Sequence, residues 1–203
     1  VSDAFVTGWK EANPGGTVTH HDLVELQLPH IGPVELGAWL TESQRGNDLE
    51  SLVLARSNRL VDDLLAATEL VISTPMWNFS IPSSLKAWID HVIRLGRTVV
   101  RPDSVSTDNV EMGEFAPVGA VTAARAIVIT SRGGDWRPGG PAAHLDFQEP
   151  YLRSVISFLG IPDIRFIHAD HQGPNWPDAA DVLAAASAEA REAARGERIA
   201  AAL

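Results

Sequence analysis

The sequence predicts an α/β fold, a doubly wound parallel sheet with helices on both faces. Three short apolar runs, 70–72, 126–130 and 164–168, recur along the chain and are separated by segments with helical periodicity. That alternation is the signature of parallel strands joined by crossover helices. The first two runs also lack polar–apolar alternation, which marks strands covered on both faces.

Taken in order, residues 1–12 read as a helix, with Ala4, Phe5, Gly8 and Trp9 near one face, stopped by Asn-Pro-Gly-Gly at 13–16. Residues 18–25 read as a short strand. His20 and His21 would point oppositely on it, so they are better read as solvated residues than as a metal pair. Pro29, Gly32, Pro33 and Gly37 make 26–46 irregular. Leu49, Leu52, Val53, Leu60, Val61, Leu64 and Leu65 recur at three and four spacings and predict a helix over 47–67. A further helix spans 82–95, with Pro82 in its first turn and Gly96 at its end. Residues 98–124 form an excursion containing an extended Val99-Val100 piece, and 131–140 a glycine-rich loop. A helix over 147–159 is capped by Gly160, and a long alanine-rich helix covers 177–203. The chain opens in a helix where such a sheet normally opens in a strand, so a first strand and its loop are expected to be missing from the sequence, the alternative being a four-stranded sheet. The 203 residues suit one domain.

Composition removes several classes of function. The absence of cysteine excludes disulfides, thiolate catalysis and cysteine-held metal clusters, and fits a cytoplasmic protein. The net charge of -10 with no basic block argues against nucleic acid. No apolar run is long enough to span a membrane. The seven histidines show no metal-binding spacing, so no metal is expected. No G-x-S-x-G elbow, P-loop or G-x-G-x-x-G fingerprint is present.

Ligands of open α/β sheets bind beyond the carboxyl ends of the strands. Two segments there are unusual. The stretch 73–82 places Met76, Trp77 and Phe79 where a plain connection would be polar, with Asn78 offering an amide. Either it packs a flat ring such as an isoalloxazine, or it packs under the following helix. The stretch 130–134 carries Ser131, Arg132, Gly133 and Gly134, whose glycines permit close backbone approach to a ring edge or an anion. Arg132 is read as a charge partner or as solvated. His168, at a strand end, is read as structural, and His91 as a surface or interface residue.

The stretch Thr74-Pro-Met-Trp-Asn-Phe-Ser-Ile-Pro-Ser-Ser-Leu-Lys-Ala-Trp-Ile-Asp90, followed by Arg94-Leu-Gly-Arg-Thr98, closely resembles the matching segment of FMN-dependent NADH-azoreductases, which are flavodoxin-like quinone reductases. Ile127-Val-Ile-Thr-Ser-Arg-Gly-Gly134 resembles that family's second flavin loop, and the likeness continues through Tyr151-Leu, Phe158-Leu-Gly-Ile161 and Phe166-Ile-His-Ala169. The resemblance implies a flavodoxin-like fold and FMN as cofactor. It implies a homodimer with the flavin near the interface, and ping-pong transfer from NADH or NADPH to a small quinoid or azo-aromatic acceptor. Pro75, Met76, Trp77, Asn78 and Phe79 are then the loop against the ring and ribityl chain, and Ser131, Arg132, Gly133 and Gly134 the loop at its other edge. No catalytic acid or base is implied, since the cofactor carries the chemistry.

The sequence also departs from the family. Trp77 stands where Tyr is usual, Val99 where Phe is common, and Asp135-Trp-Arg-Pro-Gly139 replaces a stretch often holding His and Lys. The segment 101–124 is longer than its usual counterpart, and the family's phosphate-binding serines follow the strand expected to be missing. A flavin carrier without turnover, and a regulatory module without flavin, are the competing readings.

Overall fold

The computed structural model describes residues 1–40, 48–100, 118–140 and 142–196, the side chains of 40 and 48–53 excepted. Most of the expected excursion, 101–117, and the end of the expected last helix, 197–203, lie outside the described residues. The elements in chain order are α1 Ser2–Ala12, α2 Leu23–Leu26, α3 Pro33–Leu40, α4 Asp48–Ala66, β1 Glu69–Pro75, α5 Ser83–Val92, β2 Val99–Val100, β3 Val118–Gly119, β4 Arg125–Ser131, α6 Gln148–Phe158, β5 Ile164–Ala169 and α7 Ala179–Ala194.

β1, β4 and β5 form a parallel sheet in the order β1-β4-β5. Ser131 at the end of β4 is in register with Pro75 of β1 and with Ala169 of β5, so the three strands end flush. Their following loops therefore leave the sheet side by side. Successive side chains of β4 enter opposite cores, as the pleat requires. Ala126 and Val128 join Leu64, Ile72, Leu85, Trp88, Leu152 and Ile156 on the face covered by α4, α5 and α6. Ile127 and Ile129 join Phe5, Ile167, Ala186 and Ala190 on the face covered by α1 and α7. The two helices of that second face meet closely. A Cβ on Gly8 would lie 3.0 Å from the Arg191 carbonyl oxygen and 3.3 Å from the Ala194 Cβ of α7.

β4 is covered on both faces, as its composition predicts, but β1 is not. Val71 is 37 % exposed, and no β1 side chain joins the α1/α7 cluster. Those two helices lie over β4 and β5, leaving one face of β1 open. Three other expectations are corrected. Residues 18–22 form no strand; a strand needs a ladder partner, and among the described residues they have none. They lead into α2, whose first turn is capped by Asp22 through Val24 N–H at 2.8 Å and Glu25 N–H at 3.2 Å. His20 is exposed and His21 sits 3.1 Å from Asp63. The irregular stretch contains α3, begun by Pro33, which suits a first helical position. α5 begins at Ser83 with Pro82 as its cap, and ends at Val92 rather than 95. The extended Val99-Val100 pairs antiparallel with Val118 and Gly119.

His91 is fully buried, not a surface residue. Its Nε2–H donates to the Pro29 carbonyl at 3.1 Å, and its ring meets Trp39 edge-on. Its carbonyl accepts from Ser57 Oγ at 2.8 Å, while the Arg94 guanidinium donates to Ser57 and lies 5.0 Å over Trp39. The helical stripe carried the signal, because His91 shares a face with Ala87 and Trp88 and follows their burial. Burial holds the His91 imidazole below its ordinary pKa of 6.5. The unfolded chain then binds the proton more readily, so stability is full above pH 6.5 and falls as pH drops below it. Urea denaturation is expected to show a lower midpoint at about pH 5.5 than at about pH 7.5, with the difference reduced in His91→Gln. An unchanged midpoint would contradict the assignment.

Candidate functional site

The loop after β1 continues the ladder for one residue, with Met76 N–H donating to the Ser131 carbonyl at 2.9 Å, and then turns sharply. Trp77 and Ser80 exchange both backbone bonds, at 3.0 and 3.1 Å, around a two-residue turn. Its central residues have positive φ, 48° at Asn78 and 72° at Phe79. Asn adopts that region readily, whereas a bulky Phe does so at a cost of about 1–2 kcal/mol. The strain holds two aromatic rings out of the core: Trp77 is 60 % exposed and Phe79 44 %. The rings do not pack under α5, and such exposure of large apolar groups marks a contact surface. Phe79 also meets Trp136 of the β4 loop edge-on at 5.7 Å.

The loop after β4 is held from the β5 side. Arg132 N–H donates to the Ala169 carbonyl at 2.9 Å. The carbonyls of Arg132, Gly133 and Gly134 then accept, in turn, from Gln172 N–H at 2.9 Å, Trp176 Nε1–H at 2.9 Å and His171 N–H at 3.3 Å. All peptide bonds here are trans, and a trans peptide points its N–H opposite to its C=O. The amides of Gly133, Gly134 and Asp135 therefore face away from β5. β4 lies between β5 and β1, so this loop neighbours the β1 loop. None of the three has a protein acceptor among the described residues.

Arg132 is neither solvated nor available as an exposed charge. It is 2 % exposed, and its Nε and Nη2 both donate to the Asp170 carboxylate while Nη1 donates to Asp146 Oδ2 at 3.0 Å. The other oxygen of Asp146 accepts from Gln148 N–H at 2.9 Å and Glu149 N–H at 3.0 Å, capping α6. The next two residues reach back to the β1 loop: Phe147 N–H donates to the Phe79 carbonyl at 3.0 Å and Gln148 Nε2 to the Pro75 carbonyl at 2.8 Å. One polar network thus ties both loops together. Sequence reading missed Asp146, Gln148, Asp170 and Trp176. Asp146-Phe-Gln-Glu149 before the apolar α6 stripe is a capping signature that would have found the first.

His168 holds structure. Its Nε2–H donates to Glu149 at 3.0 Å and its Nδ1 accepts from the Thr130 hydroxyl at 2.7 Å. Burial, followed by the nearby Arg132 charge, lowers its pKa despite Glu149.

Comparison with known proteins meets this geometry. A family model described as flavodoxin-like fold matches residues 1–194. An "FMN-dependent NADH:quinone oxidoreductase 2" of Pseudomonas fluorescens is 44 % identical over 170 residues, covering 84 % of this chain and 78 % of that protein. The chain belongs to this family of flavodoxin-like oxidoreductases. An "FMN-dependent NADH:quinone oxidoreductase 3" of Pseudomonas aeruginosa is 42 % identical over 174 residues, covering 85 % of this chain and 75 % of that protein. Among solved structures, an FMN-dependent NADH-azoreductase from Bacillus anthracis in complex with FMN superposes with a TM-score of 0.80 at 26 % identity, covering 95 % of this chain and 87 % of that one. The residues present fit a flavin ring: exposed aromatic side chains stand on one loop, and three amides with no protein acceptor among the described residues stand on the neighbouring one.

Proposed function

We propose that this protein is an FMN-dependent oxidoreductase that passes electrons from NADH or NADPH to quinones or aromatic azo compounds. The observation that carries this is the pair of loops at the two flush strand ends, with Trp77 and Phe79 exposed on one and the amides of Gly133, Gly134 and Asp135 turned away from β5 on the other. Pro75, Met76, Trp77, Asn78 and Phe79 would lie along the ring, while Ser131, Gly133 and Gly134 would hold its hydrogen-bonding edge. Arg132, assigned by resemblance to ring contact, acts in this reading by fixing the loop, since its backbone groups and side chain are engaged with protein. Bound there, FMN would supply the two-electron redox chemistry between the nicotinamide and the acceptor. The protein supplies orientation, a dry flat surface and donors at the ring edge.

The reading extends to a ping-pong cycle, to a single FMN-binding domain, and to a homodimer in the cytoplasm with the site at its interface. Among the described residues no helix is long and apolar enough to cross a membrane. Titrating the protein with FMN and then following NADH oxidation with a quinone is expected to show saturable binding and turnover. Parallel lines in a double-reciprocal plot would mark the ping-pong cycle, and light scattering would give a dimer mass. No FMN binding, or no NADH oxidation at saturating FMN, would reject the function; a monomer at micromolar concentration would reject the dimer alone.

A further inference from the structure

We propose that the 171–176 segment is a clamp that sets the reduction potential of the bound flavin, with Trp176 its principal positioning residue. This rests on the FMN reading above. The segment follows β5 and takes no part in the ring surface formed by the β1 loop. Instead it captures three successive carbonyls of the β4 loop, those of Arg132, Gly133 and Gly134. Each captured carbonyl fixes the opposite direction of the N–H in the same peptide, so three bonds on the β5 side align three donors on the side away from β5. Left to itself, a loop with two adjacent glycines would sample many orientations of those peptides.

The clamp is built to be rigid. The His171 ring stacks on the Trp176 ring with centroids 3.9 Å apart and planes 6° from parallel, and His171 Nδ1–H donates to the Asp178 carboxylate at 2.9 Å. Two non-glycine residues, His171 at φ 62° and Asn175 at φ 73°, are held in the left-handed region to bring the indole N–H round to Gly133. Backbone strain of this kind persists only where surrounding contacts enforce it. At the point of contact, Gly173 lies against the β4 loop so closely that a Cβ there would come within 2.6 Å of the Gly133 carbonyl oxygen. The indole N–H of a residue 38 % exposed is thus delivered to one carbonyl.

Hydrogen-bond donors aimed at a ring edge favour the form with more electron density there. An aligned amide row therefore raises the potential of the flavin, and loosening the row lowers it. Trp176→Phe keeps the aromatic stack on His171 and deletes only the N–H. Gly173→Ala keeps the Trp176 indole N–H and forces the two loops apart. Spectroelectrochemical titration of the FMN-loaded proteins is expected to give potentials below wild type for both variants. A tenfold loss in the preference for the reduced over the oxidised cofactor corresponds to about 30 mV for a two-electron couple. Oxidised FMN should still bind, and the far-ultraviolet circular dichroism should match wild type. Should Trp176→Phe fold poorly, Gly173→Ala alone decides. Bound FMN with an unchanged potential in the folded variants would overturn the clamp and leave the FMN reading standing. A wild-type protein that binds no FMN would overturn both.

Discussion

Replacing Arg132 with leucine is expected to lower folding stability by about 3–5 kcal/mol, the cost of stranding buried carboxylates when their common partner is removed. Arg132 is 2 % exposed, and its two partners, Asp170 and Asp146, have side chains only 10 % and 11 % exposed. A planar fork suits this place, because one guanidinium satisfies Asp170 with two bonds and Asp146 with a third. Lysine keeps the charge and loses the fork, so Arg132→Lys should fall between wild type and Arg132→Leu. Urea denaturation of both variants measures the loss and its order. A loss below about 1 kcal/mol would show that the pair is dispensable, the usual result for an exposed arginine.

The contrast between Arg132 and Trp77 shows what the sequence could and could not reveal about the site. The strands and long helices were legible because burial imposes a period: Leu152, Ile156 and Leu159 repeat as a helix does, and 126–130 is apolar throughout because both faces of β4 are covered. The two site loops were legible by position, at strand ends, and by resemblance. The partner of Arg132 was not, because Asp146 and Asp170 come from different elements, and no spacing rule joins residues 14 and 38 positions away. α3 was missed for a related reason. Its prolines and glycines speak for irregularity, yet Pro33 is harmless at a first turn and Ala38 packs to full burial. The clamp from 171–176 left no sequence signal beyond one Gly-Pro pair, since its bonds run mainly through backbone carbonyls that any residue supplies. His91 was misread because a titratable side chain was weighed by its type, while its helical face decided its fate.

Trp77 gives the other large effect, and it should fall on binding rather than on stability. Its ring is 60 % exposed, so Trp77→Leu forfeits little packing and should change the urea midpoint by no more than an ordinary surface substitution, within about 0.5 kcal/mol. The turn that presents it is kept by backbone bonds between Trp77 and Ser80 and by the bond from Phe147 N–H to the Phe79 carbonyl, none of which uses the indole. What leucine removes is a broad rigid face at the strand end. Aromatic stacking of this sort is worth about 0.5–1.5 kcal/mol beyond area alone, so FMN affinity should weaken on the order of tenfold, with a shifted flavin absorption band and lower turnover. Trp77→Tyr retains a flat face and should stay close to wild type in all three measurements. The opposite result, a destabilised Trp77→Leu protein whose remaining folded fraction binds FMN with unchanged affinity and spectrum, would place the indole in a packing role. An unchanged affinity together with unchanged stability would remove Trp77 from the site altogether and leave Phe79, with its edge on Trp136, as the aromatic wall of the site.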